Sequence, residues 1–319
     1  MKTSEFYNIE KDGITQGLLS TWRNCRQLAW IYLQGYSQKS GSLALTFGTI
    51  VHAILERVYG DLQKGKKSLP SRPELLAYIK LVEKDWEKEN PRATKEELEQ
   101  KEQCLLLVES IMPLYFQFWH KDKFLKWVGV EQEFNIPYQL KDGRKTRLRG
   151  KMDGVFKKNG IWLFETKAKS RIDEGALVDV LPLDFQNKFY LSALRKQHKL
   201  QPSGVKYNVV RRSQMEQRKD ETAKKFSQRV AADITKRPDY YFLRFEISID
   251  KQELDKFDQE LEDQIKEFYD WWEEKIAHYS NPSQCETKYG RCWGLGICSG
   301  QGTNKYEKRK QVFRELEDY

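Results

Sequence analysis

Residues 151–169 read Lys-Met-Asp-Gly-Val-Phe-Lys-Lys-Asn-Gly-Ile-Trp-Leu-Phe-Glu-Thr-Lys-Ala-Lys. The apolar runs on either side of Asn159-Gly160 predict a β-hairpin, because a short loop that ends in glycine supplies the positive φ of a tight reversal. A three-residue loop at 158–160 sets Asp153 directly opposite Glu165, and the strand period of two puts Lys167 on the same face. Directly opposed carboxylates, with Cβ atoms about 4.5–5.5 Å apart, repel each other unless a cation lies between them. The stretch therefore predicts either a cation site or an amphipathic hairpin whose charged residues face solvent.

An aspartate followed on the next strand by Glu-x-Lys resembles the pattern of the PD-(D/E)XK nucleases. The resemblance implies a restriction-endonuclease-like α/β fold, with a mixed sheet flanked by helices. It implies that Asp153 and Glu165 hold Mg²⁺ or Mn²⁺ and that the backbone carbonyl of Thr166 completes the protein ligands. In that family the ion stabilises charge on the scissile phosphate and lowers the pKa of its water. Lys167 is then expected to orient this water or to help deprotonate it.

A second motif lies on a helix predicted over residues 46–60, where apolar residues recur at helical spacing. His52 and Glu56 are four residues apart there and share one face. A single histidine on a helix is most often a core or surface residue. The motif Gly-x3-His-x3-Glu, however, resembles a helix of RecB-like nucleases, which implies that His52 is a further metal ligand. Glu56 is expected to pair with Arg57 or to face solvent.

A third motif, Gln-x3-Tyr, lies in a helix predicted over residues 183–200. Gln186 and Tyr190 share one face of that helix and precede a strand predicted at 205–211. Their position after Glu165 resembles the Gln-x3-Tyr motif that follows Glu-x-Lys in RecB-like nucleases. The resemblance implies that the two side chains bind phosphate or brace the active-site lysine, and the sequence leaves both roles open.

Three of the five cysteines, Cys285, Cys292 and Cys298, lie close together in a glycine-rich stretch near the C-terminus. Structural zinc sites usually contain Cys-x(2–4)-Cys pairs, so these spacings fit zinc poorly. Cys25, in a helix predicted over residues 17–36, is the natural fourth ligand. Cys104 starts an apolar helical stretch and is expected to be a buried thiol.

One cysteine far upstream and three near the C-terminus resemble the iron-sulfur branch of the RecB-like nucleases, which has AddB-type, CRISPR-associated and phage-encoded members. The resemblance implies a 4Fe-4S cluster bound by Cys25, Cys285, Cys292 and Cys298. The branch more often has Cys-x2-Cys at the start of the triplet, so zinc and the absence of a metal remain alternatives. Either metal would clamp the two ends of the chain around the core.

Composition indicates what the chain binds and where it works. It has 319 residues, 32% of them charged, a net charge of +9 and a mean hydropathy of −0.78. These values are expected of a soluble protein with a polyanionic partner such as nucleic acid. No apolar run reaches the roughly 20 residues that span a bilayer, and no signal-peptide core is recognisable, so a cytoplasmic protein without membrane contact is expected. No Walker A loop occurs, so the chain is not itself a helicase or ATPase.

The domain organisation follows from these motifs. Residues 1–45 are expected to form an N-terminal helical segment that supplies one cluster cysteine. Residues 46–212 form the nuclease core with a helical insertion at 62–126, and residues 213–319 form a C-terminal helical and iron-sulfur subdomain. Glu131 and Glu133, on a strand predicted at 130–138, are expected on a solvated face. Cations that follow residue 210 are either a solvated face paired with acids or a phosphate track.

The function predicted from the sequence is a metal-dependent deoxyribonuclease, acting as an exonuclease on single-stranded DNA or DNA ends. The competing class is a catalytically silent nucleic-acid-binding or assembly subunit of a recombination or CRISPR-adaptation complex, and RNA is a third substrate option. The intact Asp, Glu-x-Lys set favours catalysis. Cleavage polarity, the choice between Mg²⁺ and Mn²⁺, and homo-oligomer formation remain open.

Overall fold

The structure of the protein, a computed structural model, describes residues 5–38, 43–273, 275–287, 290–304, 306–314 and 316. Its strands are β1 (Ile14–Thr15), β2 (Tyr36–Gln38), β3 (Lys126–Gln139), β4 (Lys145–Lys157), β5 (Ile161–Lys169), β6 (Pro202–Arg211), β7 (Phe242–Ser248), β8 (Glu286–Thr287), β9 (Gly290–Arg291) and β10 (Tyr306–Lys308). Its helices are α1 (Gln16–Asn24), α2 (Arg26–Leu33), α3 (Leu43–Gln63), α4 (Arg72–Glu89), α5 (Lys95–Phe118), α6 (Glu174–Val180), α7 (Phe185–His198), α8 (Ala223–Lys236), α9 (Pro238–Tyr241), α10 (Lys251–Trp272) and α11 (Leu295–Cys298). Short 3₁₀ turns lie at His120–Phe124, Leu181–Leu183 and Pro282–Gln284.

Strand β4 is the centre of the main sheet. Antiparallel β3 pairs along one of its edges, from Lys126 opposite Lys157 to Gln139 opposite Lys145. The other edge is shared by β5, antiparallel at residues 154–157, and by β1, parallel at residues 148–149. Beyond β5 come β6, which is parallel to it, and β7, which is antiparallel to β6. The predicted mixed α/β sheet is confirmed.

The hairpin between β4 and β5 has the predicted register as far as Gly154, whereas the predicted pair of Asp153 and Glu165 lies beyond the paired residues. Lys157 pairs with Ile161, and the pairing continues as far as Gly154 opposite Phe164. Asn159 and Gly160 adopt positive φ values of 50° and 128°, as the tight reversal requires. Beyond Gly154 the two strands separate, so that edge of β4 is open between β5 and β1.

Helices cover both faces of the sheet. One apolar core lies between the sheet and the helices α1, α7 and α10, and the other lies between the sheet and α3, α5 and α8. The inward side chains of the central strands alternate between the two cores, as in a sheet that is covered on both sides. Two strands of the main sheet lie outside the predicted core segment 46–212: β1 precedes it and β7 follows it. The domain boundaries stay a prediction.

Most predicted elements are present. The helix predicted at 46–60 is α3, and Thr94 caps α5 in a capping box with Glu97. Cys104 is fully buried, as expected, and burial raises the pKa of its thiol to about 11. None of the described helices combines the length and the apolar character that crossing a membrane requires.

The single helix predicted over residues 17–36 is wrong, because Cys25 divides it into α1 and α2. The backbone of Cys25 is extended, with φ −158° and ψ 108°. Its N–H still closes the last turn of α1 by donating to the Thr21 carbonyl oxygen, and its sulfur accepts a hydrogen bond from the Asn281 backbone N–H at 3.4 Å. This contact with a residue far along the chain accompanies a break that apolar periodicity does not reveal.

Candidate active site and cysteine group

The candidate active site lies where β4 and β5 separate. The Thr166 backbone N–H donates to Asp153 Oδ2 at 2.7 Å, so the carboxylate of Asp153 occupies the position that a strand partner would otherwise take. The Asp153 side chain is 18% exposed, whereas Glu165 is 1% exposed. The opening therefore gives solvent access to one carboxylate and places the other deep against the sheet.

Glu165, Lys167 and Gln186 form a closed triangle of hydrogen bonds. Lys167 Nζ lies 2.6 Å from Glu165 Oε1 and 2.9 Å from Gln186 Oε1. Gln186 Nε2 in turn donates to Glu165 Oε1 at 2.9 Å. Two of these bonds end on Glu165 Oε1, and the buried Oε2 has no hydrogen-bond partner among the residues that the structure describes. A buried carboxylate oxygen without a partner is costly, and a bound cation would remove that cost.

His52, Glu131 and Asp153 form a second, adjoining group. His52 Nδ1 lies 3.5 Å from Asp153 Oδ1 and 4.0 Å from Glu131 Oε1. One ligand atom from each residue lies within 4.8 Å of the other two, so the group could hold a metal ion. Helix α3 supplies His52, and β3 supplies Glu131 at the register position opposite Asp153.

The position of Glu131 corrects the sequence prediction of a solvated side chain. Its side chain is only 12% exposed, and Lys151 Nζ lies 2.9 Å from its Oε2. Its backbone has φ 46°, in the left-handed region that is costly for a residue with a side chain. The register with Asp153 could have revealed this residue, because the two positions face each other across β3 and β4. Glu56, in contrast, is exposed on α3, and Arg57 pairs with Asp85 instead.

The carboxylates and the histidine shift each other's pKa values. Burial raises the pKa of Glu165, and the charge of Asp153 raises it further. Burial and Asp153 likewise raise the pKa of Glu131 to about 7. Burial acts to lower the pKa of His52, but the neighbouring carboxylates, above all Asp153, outweigh it and raise the pKa to about 9. Burial acts to raise the pKa of Asp153, yet His52 holds it below its usual value.

These residues fit a divalent cation. Carboxylate oxygens are the preferred ligands of Mg²⁺ and Mn²⁺, and imidazole is compatible with transition metals. The raised pKa values of Glu131 and Glu165 show that negative charge is in excess at this site. Burial and the charge of Asp153 favour the protonated form of each carboxyl group. The buried Glu165 Oε2, which has no hydrogen-bond partner among the described residues, also supports a bound cation.

The side-chain amine of Lys167 remains protonated. Burial acts to lower its pKa, but the adjacent carboxylate of Glu165 outweighs burial and raises the pKa above its usual value. The ammonium group is therefore held as a donor and a positive charge. Its side chain is 32% exposed, so it reaches the opening from the strand that Glu165 occupies.

The structure separates the two residues of the Gln-x3-Tyr motif. Gln186, in the first turn of α7, contacts Lys167 and Glu165 as described. Tyr190, one turn further along, is 7% exposed and packs its ring edge-on against Phe134, with centroids 5.8 Å apart. The bracing role expected from the sequence therefore falls to Gln186, and a catalytic role for Tyr190 stays a prediction.

The four cysteines predicted to bind one cluster are neighbours. Asn281 joins two of them, because its N–H donates to Cys25 and its carbonyl oxygen lies 3.8 Å from Cys285 Sγ. Cys292 N–H donates to the carbonyl oxygen of Cys285 at 2.9 Å. Burial raises the pKa of Cys298, and the neighbouring Cys25, Cys292 and Cys285 raise it further through the negative charge of their thiolate forms. Across the described ranges, no three of these sulfur atoms lie within 4.8 Å of one another.

The two ends of the chain meet beside this group. Strand β10 pairs antiparallel with β2, from Tyr306 opposite Gln38 to Lys308 opposite Tyr36. The Arg309 N–H donates to the Gly35 carbonyl oxygen at 2.8 Å, and the Tyr32 hydroxyl donates to the Val312 carbonyl oxygen at 3.0 Å. Backbone pairing therefore joins the segment that follows the cysteine triplet to the segment that follows α2.

A mixed sheet whose hairpin carries Asp153, Glu165 and Lys167 beside a group of residues that could hold a metal ion is the arrangement that the sequence predicts for a nuclease. The family model of the PD-(D/E)XK nuclease superfamily matches residues 14–299, and the chain belongs to this superfamily. Its members use divalent metal ions and act on nucleic acid, so this family assignment gives the chain a nucleic-acid substrate. No curated protein sequence matches the chain significantly.

Two solved structures align with most of the chain, and one of them resembles it in fold. One, named "Putative exonuclease" and from Eubacterium rectale, has a TM-score of 0.50 at 13% identity, with 95% of this chain and 94% of that chain covered. The other, a protein named SSO0001, has a TM-score of 0.30 at 14% identity, with 90% and 97% covered. The first supports the nuclease fold over nearly the full length, and the second is too dissimilar to support an argument.

Proposed function

We propose that this protein is a metal-dependent DNA nuclease that acts as an exonuclease on single-stranded DNA or DNA ends. The observation that carries the proposal is the triangle of Glu165, Lys167 and Gln186 beside Asp153, because it joins a metal centre with excess negative charge to a fixed cation at one opening of the sheet. A purely structural hairpin would leave these charges in solvent.

In the proposed centre, His52, Asp153, Glu165 and the Thr166 carbonyl hold Mg²⁺ or Mn²⁺, and Glu131 joins them. When bound, such an ion supplies Lewis-acid stabilisation of phosphate charge and activation of water. The remaining work falls to the protein. Asp153 is held in place by the Thr166 N–H, and Glu165 is held by Gln186, so neither carboxylate has to be reorganised when substrate arrives.

Lys167 acts as a cation in this proposal. Its ammonium group donates hydrogen bonds to the attacking water or to a phosphate oxygen and offsets the negative charge that develops there. Since Glu165 raises its pKa, Lys167 does not remove a proton from water in the resting site. Gln186 is a positioning residue, because it accepts from Lys167 and limits the directions in which the ammonium group can point.

We propose further that Cys25, Cys285, Cys292 and Cys298 bind a structural 4Fe-4S cluster. The sulfur atoms of a tetrahedral zinc site lie about 3.8 Å apart, given zinc–sulfur bonds of about 2.3 Å. The cysteine group is more open than that, and a cluster that places several irons and sulfides between its ligands suits the wider spacing.

Charge near the opening supports a polyanionic strand as the substrate, a property that DNA and RNA share. Lys167 and Lys169 alternate along β5 on the face of Glu165, and the chain carries a net charge of +9. Of the cations after residue 210, Arg229 pairs with Glu221 and Arg237 pairs with Asp233, so these two fit the acid-paired alternative. The lysines of β5, which lie on the face of Glu165, are the proposed phosphate contacts.

A substrate panel tests this proposal. End-labelled single-stranded DNA, double-stranded DNA and single-stranded RNA of one sequence are incubated with anaerobically purified protein in Mn²⁺, Mg²⁺ or EDTA. We expect metal-dependent release of short products from single-stranded DNA or from duplex ends, and none in EDTA. Binding of DNA without any cleavage would contradict the proposal and support a silent assembly subunit. Cleavage of RNA alone would contradict the choice of DNA.

A further inference from the structure

A buried polar network lies beneath the sheet, on the face opposite Glu165. Arg244 of β7 makes two hydrogen bonds to the carboxylate of Asp122, each at 2.6 Å. It also donates to Asn208 Oδ1 at 2.8 Å and to the Tyr115 hydroxyl at 2.8 Å. The Tyr59 hydroxyl donates to Asp122 at 2.6 Å and lies 2.9 Å from that of Tyr115. All five side chains are buried.

The network reaches the proposed metal centre from two sides. On one side, Asn208 Nδ2 donates to Thr166 Oγ1 at 3.2 Å, and the backbone of Thr166 holds Asp153 at 2.7 Å. On the other side, Tyr59 lies seven residues after His52 on α3, which places both on one face of the helix about 10 Å apart. The network is therefore linked to Asp153 through Asn208 and Thr166, and to His52 through Tyr59 and helix α3.

Stability alone does not explain such a network. Replacing a buried ion pair by apolar residues of similar volume is often neutral or stabilising, because desolvation of the charges offsets their attraction. Bidentate contact between an arginine and a carboxylate, together with two tyrosines and an asparagine, instead restricts geometry. Two members, Tyr115 and Asp122, come from the segment between α4 and β3, so that helical region takes part in building the site.

We propose that this network is a positioning device for the metal centre, in which Asn208 fixes Thr166 and its contact with Asp153, and Tyr59 fixes α3 and with it His52. The inference rests on the proposed function. None of the five network residues is a catalytic residue, because each acts through another group. The expected consequence of disturbing them is a metal centre that binds its ion weakly while the surrounding fold persists.

Two variants and a matched control test this inference. Tyr59→Phe removes one hydroxyl and keeps the ring, which is stacked on Trp127 with centroids 4.3 Å apart. Asn208→Leu removes the link to Thr166. Tyr241→Phe is the control, because it deletes another buried tyrosine hydroxyl that donates to an aspartate, Asp233 on α8, outside the network.

Mn²⁺ binding is measured by calorimetry without DNA, at a temperature where every variant is folded, and thermal midpoints are recorded alongside. We expect Tyr59→Phe and Asn208→Leu to weaken Mn²⁺ binding by roughly tenfold, as loss of support around metal ligands does. Saturating Mn²⁺ should restore the cleavage rate of Tyr59→Phe. Tyr241→Phe should lower the thermal midpoint and bind Mn²⁺ like the wild type. If Asn208→Leu fails to fold, Tyr59→Phe and its control decide the question alone.

The two ways of failing are distinct. Variants that bind Mn²⁺ as tightly as the wild type, whatever their thermal midpoints, would overturn the positioning role and leave the nuclease proposal intact. A wild-type protein that binds no Mn²⁺ would overturn the metal centre itself, and this inference with it.

Discussion

At the scale of single residues, Glu131 is the most informative side chain. Its backbone has φ 46°, which is strained for a residue with a side chain. Its carboxylate lies beside His52 and Asp153, and the two carboxylates repel each other. We expect Glu131→Gln to weaken Mn²⁺ binding about tenfold. The metal-free protein should keep or raise its thermal midpoint, because one source of repulsion is removed. Calorimetry and thermal melts check both effects, with Glu133→Gln on the same strand as the control. Lower stability with unchanged Mn²⁺ affinity would contradict the assignment.

The raised pKa values predict how metal binding depends on pH. Metal ligands must be deprotonated, yet the pKa of Glu131 is raised to about 7, that of His52 to about 9, and that of Glu165 is also raised. Near neutral pH the metal-free centre therefore keeps protons that the ion must displace. Mn²⁺ affinity should rise with pH, by up to about tenfold per unit for each proton released, and level off above about pH 9.

Calorimetry in buffers of different ionisation enthalpy measures this proton release directly. An Mn²⁺ affinity that does not change between pH 6 and 9 would show that the metal-free centre is already deprotonated. This result would contradict the raised pKa values of Glu131, His52 and Glu165. The exposed histidine of the 3₁₀ turn, His120, offers a control, because His120→Gln should leave the pH profile unchanged.

At the scale of elements, the break between α1 and α2 ties the cysteine group to the core. We expect Cys25→Ala to abolish the visible absorbance of the anaerobically purified protein and to lower its thermal midpoint, since bound metal contributes directly to folding free energy. Cys104→Ala is the control: it changes a fully buried thiol in α5 and should keep the absorbance. A colourless wild-type protein that contains zinc would contradict the iron-sulfur proposal.

Elements differ in how far the sequence determines them. The β4–β5 hairpin was predictable with its register, because a glycine at positive φ fixes the loop and the loop fixes the pairing. The interruption at Cys25 was not, because apolar spacing continues through it and its contact, Asn281, is 256 residues away. Glu131 is an intermediate case. Its position opposite Asp153 could be predicted from the sequence, whereas its left-handed backbone depends on the folded sheet.

At the scale of the whole molecule, the motifs are far apart in sequence and meet in space. His52, Asp153, Glu165 and Gln186 come from two helices and two strands around one opening, and their convergence follows from the superfamily fold. Local patterns could therefore identify the candidate ligands. They could not identify the support beneath them, because the contacts of Asn208, Arg244 and Asp122 depend on long-range packing that no short motif encodes.

The central claim is that the Asp153 centre hydrolyses phosphodiester bonds. The most direct measurement is the single-turnover cleavage rate of end-labelled single-stranded DNA at saturating Mn²⁺ for the wild type and for Asp153→Asn, which keeps the acceptor for the Thr166 N–H. Asp142→Asn, in the turn between β3 and β4, is the control. The account predicts that Asp153→Asn folds like the wild type and loses on the order of a hundredfold or more in rate, while Asp142→Asn keeps it. An Asp153→Asn protein that cuts at the wild-type rate would contradict the account.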